Sequence, residues 1–270
     1  MAIRLIAIDI DGTLLNQKRE ITLRVQQAVR TVNQRGVAII LATGRPFIGI
    51  QRYLKELELN RDDQYCITNN GALVQNVVNG ESLLEVLLTF DDYLYCEYLS
   101  RVLNVHFQAF SKKEMFTSNK DISKYTVREA WMTGIPLRYC DVSDMDSNLM
   151  FPKLMMIDSS ECLDSAVASL PIEVFKQFNI MKSAPCYLEI LNKRVNKGFS
   201  LSFLAKKMGL NRKEVMAIGD QENDLAMLEY AGTSVAMGNS IDVVKEAAKF
   251  VTNSNQEDGV ARAIEEFLET

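Results

Sequence analysis

The sequence contains a single histidine, His106, among 270 residues. A Ser-His-Asp triad needs a histidine between its serine and its aspartate, and most protein zinc sites use several histidines or cysteines. We therefore expect neither a serine-hydrolase triad nor a multi-histidine metal site. His106 lies in the alternating stretch NVHFQAF and is interpreted as a structural or surface residue.

Cysteines are also few, and no CxxC pair is present. An odd number of distant cysteines is typical of reduced thiols in the cytoplasm, and it disfavours a disulfide framework or a zinc cluster. The first residues enter a strand pattern directly, without the charged and apolar regions of a signal peptide. These features predict a cytoplasmic protein with five free thiols, at Cys66, Cys96, Cys140, Cys162 and Cys186.

Long apolar runs and excess positive charge are absent as well. No stretch approaches the roughly 18 apolar residues that a membrane span requires. The net charge of −5 provides no general attraction to nucleic acid or to an anionic membrane. We expect a small-molecule ligand and no nucleic-acid or membrane partner, and a phosphorylated ligand would need a local binding device. The oligomeric state, a homodimer included, stays open.

What the sequence does contain is a regular alternation of strand and helix patterns at both ends. The first part has a βαβαβ rhythm, beginning with the buried strand IRLIAIDI, and the last 75 residues repeat it. This pattern predicts an α/β, doubly wound parallel sheet of Rossmann-like type. The middle mixes strands and helices differently. We predict a discontinuous core domain, residues 1–86 and 192–270, interrupted by an α+β domain at residues 87–191.

Polar clusters occur where the predicted core strands end, and one lies just before a helix. In an open parallel sheet, the carboxyl ends of all strands share one edge, where such folds bind ligands. We therefore expect these distant segments to converge on one pocket. The clusters contain Asp9 and Asp11, then Thr43, Gly44 and Arg45, then Lys197, and finally Asp220, Asn223 and Asp224.

Four of these residues are aspartates, and they would be balanced by one lysine. At a separation of ~4 Å and an effective dielectric constant near 20, each pair of like charges costs about 4 kcal/mol. Such a cluster needs a divalent cation, and an all-oxygen ligand set points to Mg²⁺. Because Mg²⁺ keeps positions for water and phosphate oxygens, a phosphoryl substrate would complete the site.

A phosphoryl group assigns separate roles to the two aspartates after the first strand. Asp9 can attack phosphorus as a nucleophile and form an aspartyl-phosphate. Asp11 can protonate the leaving alkoxide and then act as a base toward water. Thr43 and Lys197 can hold and neutralise the phosphoryl oxygens, and Gly12 allows a tight turn beside them.

Each residue taken alone also has an ordinary structural explanation. Asn223 or Asp224 could cap the following helix, Lys197 could lie on the surface, and Arg45 could be solvated at a helix start. The functional interpretation rests on all the clusters occurring in one order at strand ends.

The stretches DIDGTLLN, LATGRP, NKG and GDQENDLAMLEYAG resemble the four motifs of the haloacid dehalogenase superfamily. The whole chain resembles the Cof-type sugar-phosphate phosphatases of that superfamily. This resemblance implies a Rossmann-like core, an inserted C2-type cap domain that selects the substrate, Mg²⁺ dependence and hydrolysis of small phosphate esters.

The resemblance also implies roles for individual residues. Asp9 would be the nucleophile and a metal ligand, and Asp11 the general acid/base, with its backbone carbonyl on Mg²⁺. Asp220 would be the third protein ligand, and Asn223 and Asp224 would support the metal site. Phosphate would be bound by Thr43, Gly44 and Lys197, and the substrate pocket would include Arg45, Asn70, Gly71 and Glu189.

Three alternatives have different signatures. Phosphomutases of the same superfamily carry their cap between the first two motifs, whereas here Asp11 and Thr43 are only 32 positions apart. A phospho-accepting receiver module would lack the second aspartate and the inserted domain. A dinucleotide-binding protein would show a GxGxxG stretch after a strand, and none occurs.

Overall fold

The computed structural model describes residues 2–268, which form two compact units. The first unit comprises the described residues up to Gly44, the segment Gln51–Leu84 and the described residues from Asn196 onward. The second comprises Arg45–Ile50 and Glu85–Val195.

Strands and helices are numbered along the chain. The N-terminal part contains β1 (Leu5–Ile8), α1 (Leu23–Gln34), β2 (Ala38–Leu41), α2 (Gln51–Glu56), β3 (Tyr65–Thr68), β4 (Leu73–Asn76) and β5 (Ser82–Glu85). The middle contains α3 (Phe90–Val102), β6 (His106–Phe110), β7 (Met115–Thr117), α4 (Lys124–Thr133), β8 (Leu137–Tyr139), β9 (Lys153–Ile157), α5 (Ser160–Ser169), α6 (Ile172–Gln177), β10 (Phe178–Ala184) and β11 (Tyr187–Asn192). The C-terminal part contains α7 (Lys197–Lys207), β12 (Val215–Gly219), α8 (Leu225–Tyr230), β13 (Thr233–Ala236), α9 (Asp242–Ala247), β14 (Phe250–Val251) and α10 (Gly259–Leu268).

A parallel sheet with strand order β14-β13-β12-β1-β2 forms the centre of the first unit. An isolated parallel bridge between Ala42 and Ile67 places β3 next to β2. Every residue of β1 is buried, as expected for a parallel strand covered on both faces. The predicted α/β doubly wound fold is thus confirmed, and β1 lies between β12 and β2.

The helix after β1 follows directly from its sequence. The Thr22 hydroxyl caps α1 by accepting a hydrogen bond from the Val25 amide. Val25, Val29 and Val32, at helical spacing, are buried. The chain then returns to the sheet through Gly36, whose φ of +88° is accessible to glycine without steric penalty.

The second unit is built on a mixed sheet with strand order β10-β11-β9-β6-β7-β8. Its pairs are antiparallel apart from β7 with β8, which is parallel. Side chains alternate between the two sheet faces. One face packs against α3, α5 and α6 through Phe107, Leu154 and Met156. The other carries Phe110 and Met155, which share a cluster with residues of α4.

The unit boundaries differ slightly from those expected from the sequence. The changes of unit fall after Leu84 and after Val195, whereas we expected them after residues 86 and 191. In addition, Arg45–Ile50 belongs to the second unit and not to the predicted core. The reason is local packing, because a Cβ placed on Gly49 would lie 3.2 Å from the carbonyl oxygen of Thr133, at the end of α4.

Within residues 2–268, no helix combines the length and the apolar character needed to cross a membrane.

Candidate active site

The two aspartates after β1 lie in a tight loop at the carboxyl end of the strand. The Asp9 amide donates to the carbonyl of Ile218 on β12 at 3.0 Å, which extends the sheet pairing by one residue. The chain then turns back, with the Leu14 amide donating to the Asp9 carbonyl at 3.2 Å. Asp9 is buried, whereas Asp11 is exposed. The loop thus separates the environments of the two carboxylates.

This loop packs closely around Asp220, which follows β12. A Cβ placed on Gly12 would lie only 2.3 Å from Oδ2 of Asp220, and Gly12 has a φ of +88°. The Thr13 hydroxyl donates to Oδ1 of Asp220 at 2.7 Å. Glycine is therefore required at position 12 by both backbone conformation and space.

Lys197, the first residue of α7, is completely buried against this cluster. Its Nζ donates to Oδ1 of Asp9 at 2.5 Å and to Oδ1 of Asp224 at 2.6 Å. The Asn196 side chain caps α7 by accepting from the Phe199 amide, which holds the start of the helix in place. Lys197 thus lies beside the aspartates, as predicted, and not on the surface.

Asp224 has two structural tasks. Its Oδ2 accepts hydrogen bonds from the amides of Asp220 and Gln221, at 2.8 and 3.0 Å. Its Oδ1 is the second partner of Lys197. Both oxygens are thus occupied by donors within the protein. Although Asp224 immediately precedes α8, its side chain forms no capping hydrogen bond with that helix, so the simple capping interpretation is wrong for this residue.

Burial and the charges of neighbouring side chains strongly shift the pKa values of Asp9, Asp220 and Lys197. Burial, followed by the charge of Asp224, raises the pKa of Asp220 to about 7. The pKa of Asp9 is also raised well above its usual range, by burial first and then by Asp224, while Lys197 opposes the rise. Burial lowers the pKa of Lys197, but the charges of Asp224 and Asp9 outweigh it and give a net increase. One cation therefore faces three buried carboxylates.

The donor set of this cluster fits a divalent cation. Asp9, Asp220 and Asp224 each offer a carboxylate oxygen, and these oxygens lie within 4.8 Å of one another. All three residues are buried, and Lys197 balances only part of their charge. Oxygen donors with excess negative charge favour a hard divalent ion. Asp224 accepts three hydrogen bonds, two of them from backbone amides, whereas Asp220 accepts two from side chains and Asp9 accepts one from Lys197. Asp9 and Asp220 are therefore the better carboxylate ligands.

A second group of predicted residues assembles around the end of β2. The buried Thr43 accepts a hydrogen bond at its carbonyl from the Asn70 amide, at 2.9 Å. A Cβ on Gly44 would lie 3.0 Å from Nδ2 of Asn70. The Asn223 side chain in turn donates to Oδ1 of Asn70 at 3.0 Å. The structure thus brings Thr43, Gly44, Asn70 and Asn223 together.

The turn that carries Asn70 is built from three consecutive left-handed residues. Asn69, Asn70 and Gly71 have φ values of +47°, +53° and +100°. A Cβ on Gly71 would lie 2.3 Å from the carbonyl oxygen of Asn196, so the turn contacts the start of α7. Non-glycine residues in this region are uncommon and are found at functional sites. The side-chain oxygen of Asn69 is buried and has no hydrogen-bond partner.

The other two predicted pocket residues belong to the second unit, where they have local partners. Arg45 donates to the carbonyl of Gly49 at 3.3 Å. Glu189 is buried on β11, accepts from the Ser183 hydroxyl at 2.5 Å and forms an ion pair with Lys153 at 3.3 Å. A role for Arg45 and Glu189 in a substrate pocket stays a prediction.

Three polar residues outside the predicted set also hold the loop of Asp9 and Asp11. The role of Thr13 is not visible in the sequence, because the partner of its hydroxyl group is 207 residues away. Asn239 and Asn255 bond to backbone carbonyls of the same loop. Asn239 follows the end of β13, so the rule that sites gather at strand ends could have identified it.

The arrangement matches a known class of enzymes. Residues 6–264 match the haloacid dehalogenase-like hydrolase family, and the chain therefore belongs to that family. A solved haloacid dehalogenase-like hydrolase from Bacteroides thetaiotaomicron is similar, with a TM-score of 0.87 and 32% identity over 98% of this chain and 99% of the other.

Two curated relatives are similar over almost their whole length. A protein of Streptococcus pyogenes, provisionally named a phosphatase, is 45% identical over 99% of both chains. The 5-amino-6-(5-phospho-D-ribitylamino)uracil phosphatase YcsE of Bacillus subtilis is 30% identical over 98% of this chain and 96% of its own.

Proposed function

We propose that this protein is a Mg²⁺-dependent phosphatase that hydrolyses small phosphate monoesters through an aspartyl-phosphate on Asp9. The observation that carries the proposal is the buried cluster in which Lys197 bonds to both Asp9 and Asp224 beside Asp220. Such a cluster combines a nucleophile, a cation for the phosphoryl oxygens and a set of oxygen ligands for a metal. Membership of the hydrolase family supports the same reaction class.

The carboxylates of Asp9 and Asp220 and the backbone carbonyl of Asp11 would hold the metal ion. A bound Mg²⁺ would offset the charge of the carboxylates and stabilise negative charge on phosphoryl oxygens. Asp224 would position this site, because its two oxygens hold Lys197 and the amides of Asp220 and Gln221.

In the first step, a carboxylate oxygen of Asp9 attacks phosphorus and the bond to the leaving oxygen breaks. Lys197 favours the ionised form of Asp9, since its ammonium group opposes the rise of the Asp9 pKa that burial causes, and a bound Mg²⁺ would favour that form further. Protonated Asp11 gives its proton to the departing alkoxide. Its exposed position agrees with an exchange of protons with solvent and substrate.

In the second step, the carboxylate of Asp11 takes a proton from water, and the resulting hydroxide attacks the phosphorus of the aspartyl-phosphate. Inorganic phosphate leaves, and Asp9 and Asp11 return to their starting states. Throughout both steps, Thr43, the backbone at Gly44 and the ammonium of Lys197 bind the phosphoryl oxygens.

For the substrate, we propose phosphorylated sugars or related polyols, handled in the cytoplasm. The relative YcsE is named for a substrate with a phosphorylated ribityl group, and this supports a polyol ester here. The second unit, inserted after β5, would act as the cap that selects the leaving group. Arg45 and Glu189, both in that unit, are proposed as specificity residues.

Phosphotransfer to a second sugar is the alternative within the family. The chain between Asp11 and Thr43 contains only α1 and β2 as regular elements, with no inserted domain. Since the insertion lies after β5, water is the better-supported acceptor.

Phosphate release from a panel of phosphorylated sugars, nucleotides and cofactors tests the proposal. We expect turnover of sugar or polyol phosphates with added Mg²⁺, and none by Asp9→Asn. Asp63→Asn is the matched control, because its side chain is 82% exposed. Undiminished turnover by Asp9→Asn, or in excess EDTA, would contradict the proposal.

A further inference from the structure

Two asparagines on separate loops clamp the short segment from Asp11 to Leu15. Nδ2 of Asn239 donates to the carbonyl of Gly12 at 2.8 Å, and Nδ2 of Asn255 donates to the carbonyl of Leu15 at 2.7 Å. The backbone of Asp11 also forms an isolated bridge with Leu15. Asn239 thus holds Gly12 near the start of this five-residue turn, and Asn255 holds Leu15 at its end.

The two asparagines are joined to each other. The backbone amide of Asn255 donates to Oδ1 of Asn239 at 2.9 Å. This bond orients the amide of Asn239, because its oxygen faces Asn255 and its nitrogen therefore faces Gly12. The loops themselves are connected by a bond from the Gly238 amide to the Asn253 carbonyl at 3.0 Å.

The same turn also contacts Asp220. The Thr13 hydroxyl bonds to Asp220, and Gly12 is in close contact with the same carboxylate. The turn is therefore held both by a metal-ligand candidate, Asp220, and by Asn239. Asp11, which precedes Gly12, is exposed. Because Asp11 and Gly12 are adjacent in the chain, a shift of the Gly12 backbone also moves Asp11.

We propose that Asn239, supported by Asn255, is a positioning residue for the general acid Asp11. The inference rests on the proposed function, in which Asp11 protonates the leaving group. The bond from Asn239 fixes the carbonyl of Gly12, the residue that follows Asp11. Loss of that bond lets the turn shift and moves the acid away from the leaving oxygen, and displacements of about 1 Å can lower rates ~10²-fold.

Two variants of Asn239 test the proposal. Asn239→Asp keeps the size and still accepts from Asn255, but it replaces the donor to Gly12 with a second acceptor. Asn239→Ala removes both bonds. Asn76→Ala is the control, because Asn76 also donates a side-chain bond to a backbone carbonyl, that of Asp62 at 2.7 Å. Thermal melting verifies that each variant is folded.

The informative readout is kcat/KM for two kinds of leaving group. An alkyl phosphate such as ribitol 5-phosphate needs protonation of its leaving oxygen, whereas p-nitrophenyl phosphate does not. With saturating Mg²⁺, we expect both Asn239 variants to lose at least about tenfold more kcat/KM on the alkyl ester than on p-nitrophenyl phosphate. We expect Asn76→Ala to change neither.

An equal loss on both esters would show that Asn239 supports the fold or the metal site and not the acid in particular, and no loss on either would show that it is dispensable. Either result overturns the inference. Asp11→Asn, measured beside them, separates this failure from that of the proposed function. If Asp11→Asn loses more kcat/KM on the alkyl ester than on p-nitrophenyl phosphate and Asn239→Asp does not, only the positioning role of Asn239 is wrong. If Asp11→Asn loses kcat/KM equally on both esters, the role of Asp11 as general acid is wrong, and the inference about Asn239 fails as well.

Discussion

The buried carboxylate of Asp220 should make the stability of the metal-free protein depend on pH. Burial and the charge of Asp224 raise the pKa of Asp220 from 3.8 to about 7. Between these values the folded protein holds more protons than the unfolded chain. The free energy of unfolding therefore falls as the pH rises through this range.

The difference between 3.8 and about 7 corresponds to about 4 kcal/mol at neutral pH. Asp9, whose pKa is also raised, acts in the same direction. A divalent cation bound to these carboxylates offsets the loss, because it favours their charged forms. Carboxylates with lowered pKa values, such as Asp158 and Asp164, lose their stabilising contribution only at more acidic pH.

Urea unfolding in EDTA at pH 5, 6 and 7.5 measures this effect. Asp220→Asn is the comparison, because its amide does not titrate and can still accept the bond from Thr13. We expect the wild-type protein to lose a few kcal/mol more than Asp220→Asn between pH 5 and 7.5. Saturating Mg²⁺ should stabilise the wild type more at pH 7.5 than at pH 5. Identical pH dependence in the two proteins would refute the reasoning.

Two further substitutions have matched controls. Lys197→Met leaves buried carboxylates unpaired, so it should lower the free energy of unfolding by about 3–5 kcal/mol and abolish turnover. Lys112→Met is the control, because Lys112 forms a partly exposed ion pair with Glu85. It should lower the free energy of unfolding by less than about 1 kcal/mol. Equal losses in the two urea titrations would contradict the buried ion pairs. Gly12→Ala and Gly36→Ala both place alanine at a φ of +88°. This backbone conformation should lower the free energy of unfolding by about 1–2 kcal/mol in each variant. Only Gly12→Ala should also abolish phosphate release, because its added Cβ would lie 2.3 Å from Asp220. A Cβ at position 36 has no neighbouring atom within 4 Å. An active Gly12→Ala enzyme would argue against the close contact.

Much of this site was predictable because parallel strands bring their carboxyl ends to one edge. The buried run before Asp9 identified β1, and GDQEND placed Asp220 and Asp224 after another strand. Their meeting follows from the pairing of β1 with β12, which the strand patterns alone do not determine. Sequence periodicity indicates that a strand exists but not which neighbour it takes.

Contacts between distant loops could not be predicted in the same way. The bonds from Asn239 and Asn255 to the loop after β1 span 227 and 240 residues. Asparagine is common in turns, so neither residue stands out by type. The assignment of Arg45–Ile50 to the second unit likewise depends on packing at Gly49 and not on any local pattern.

The central claim, that Asp9 forms a covalent aspartyl-phosphate, has one direct test. Enzyme turning over an accepted phosphate ester is quenched in acid, reduced with borohydride and digested for mass spectrometry. Since reduction of an aspartyl-phosphate yields homoserine, we predict homoserine at position 9, and aspartate there in enzyme quenched without substrate. Homoserine at another aspartate, or unmodified Asp9 throughout steady turnover, would contradict the account.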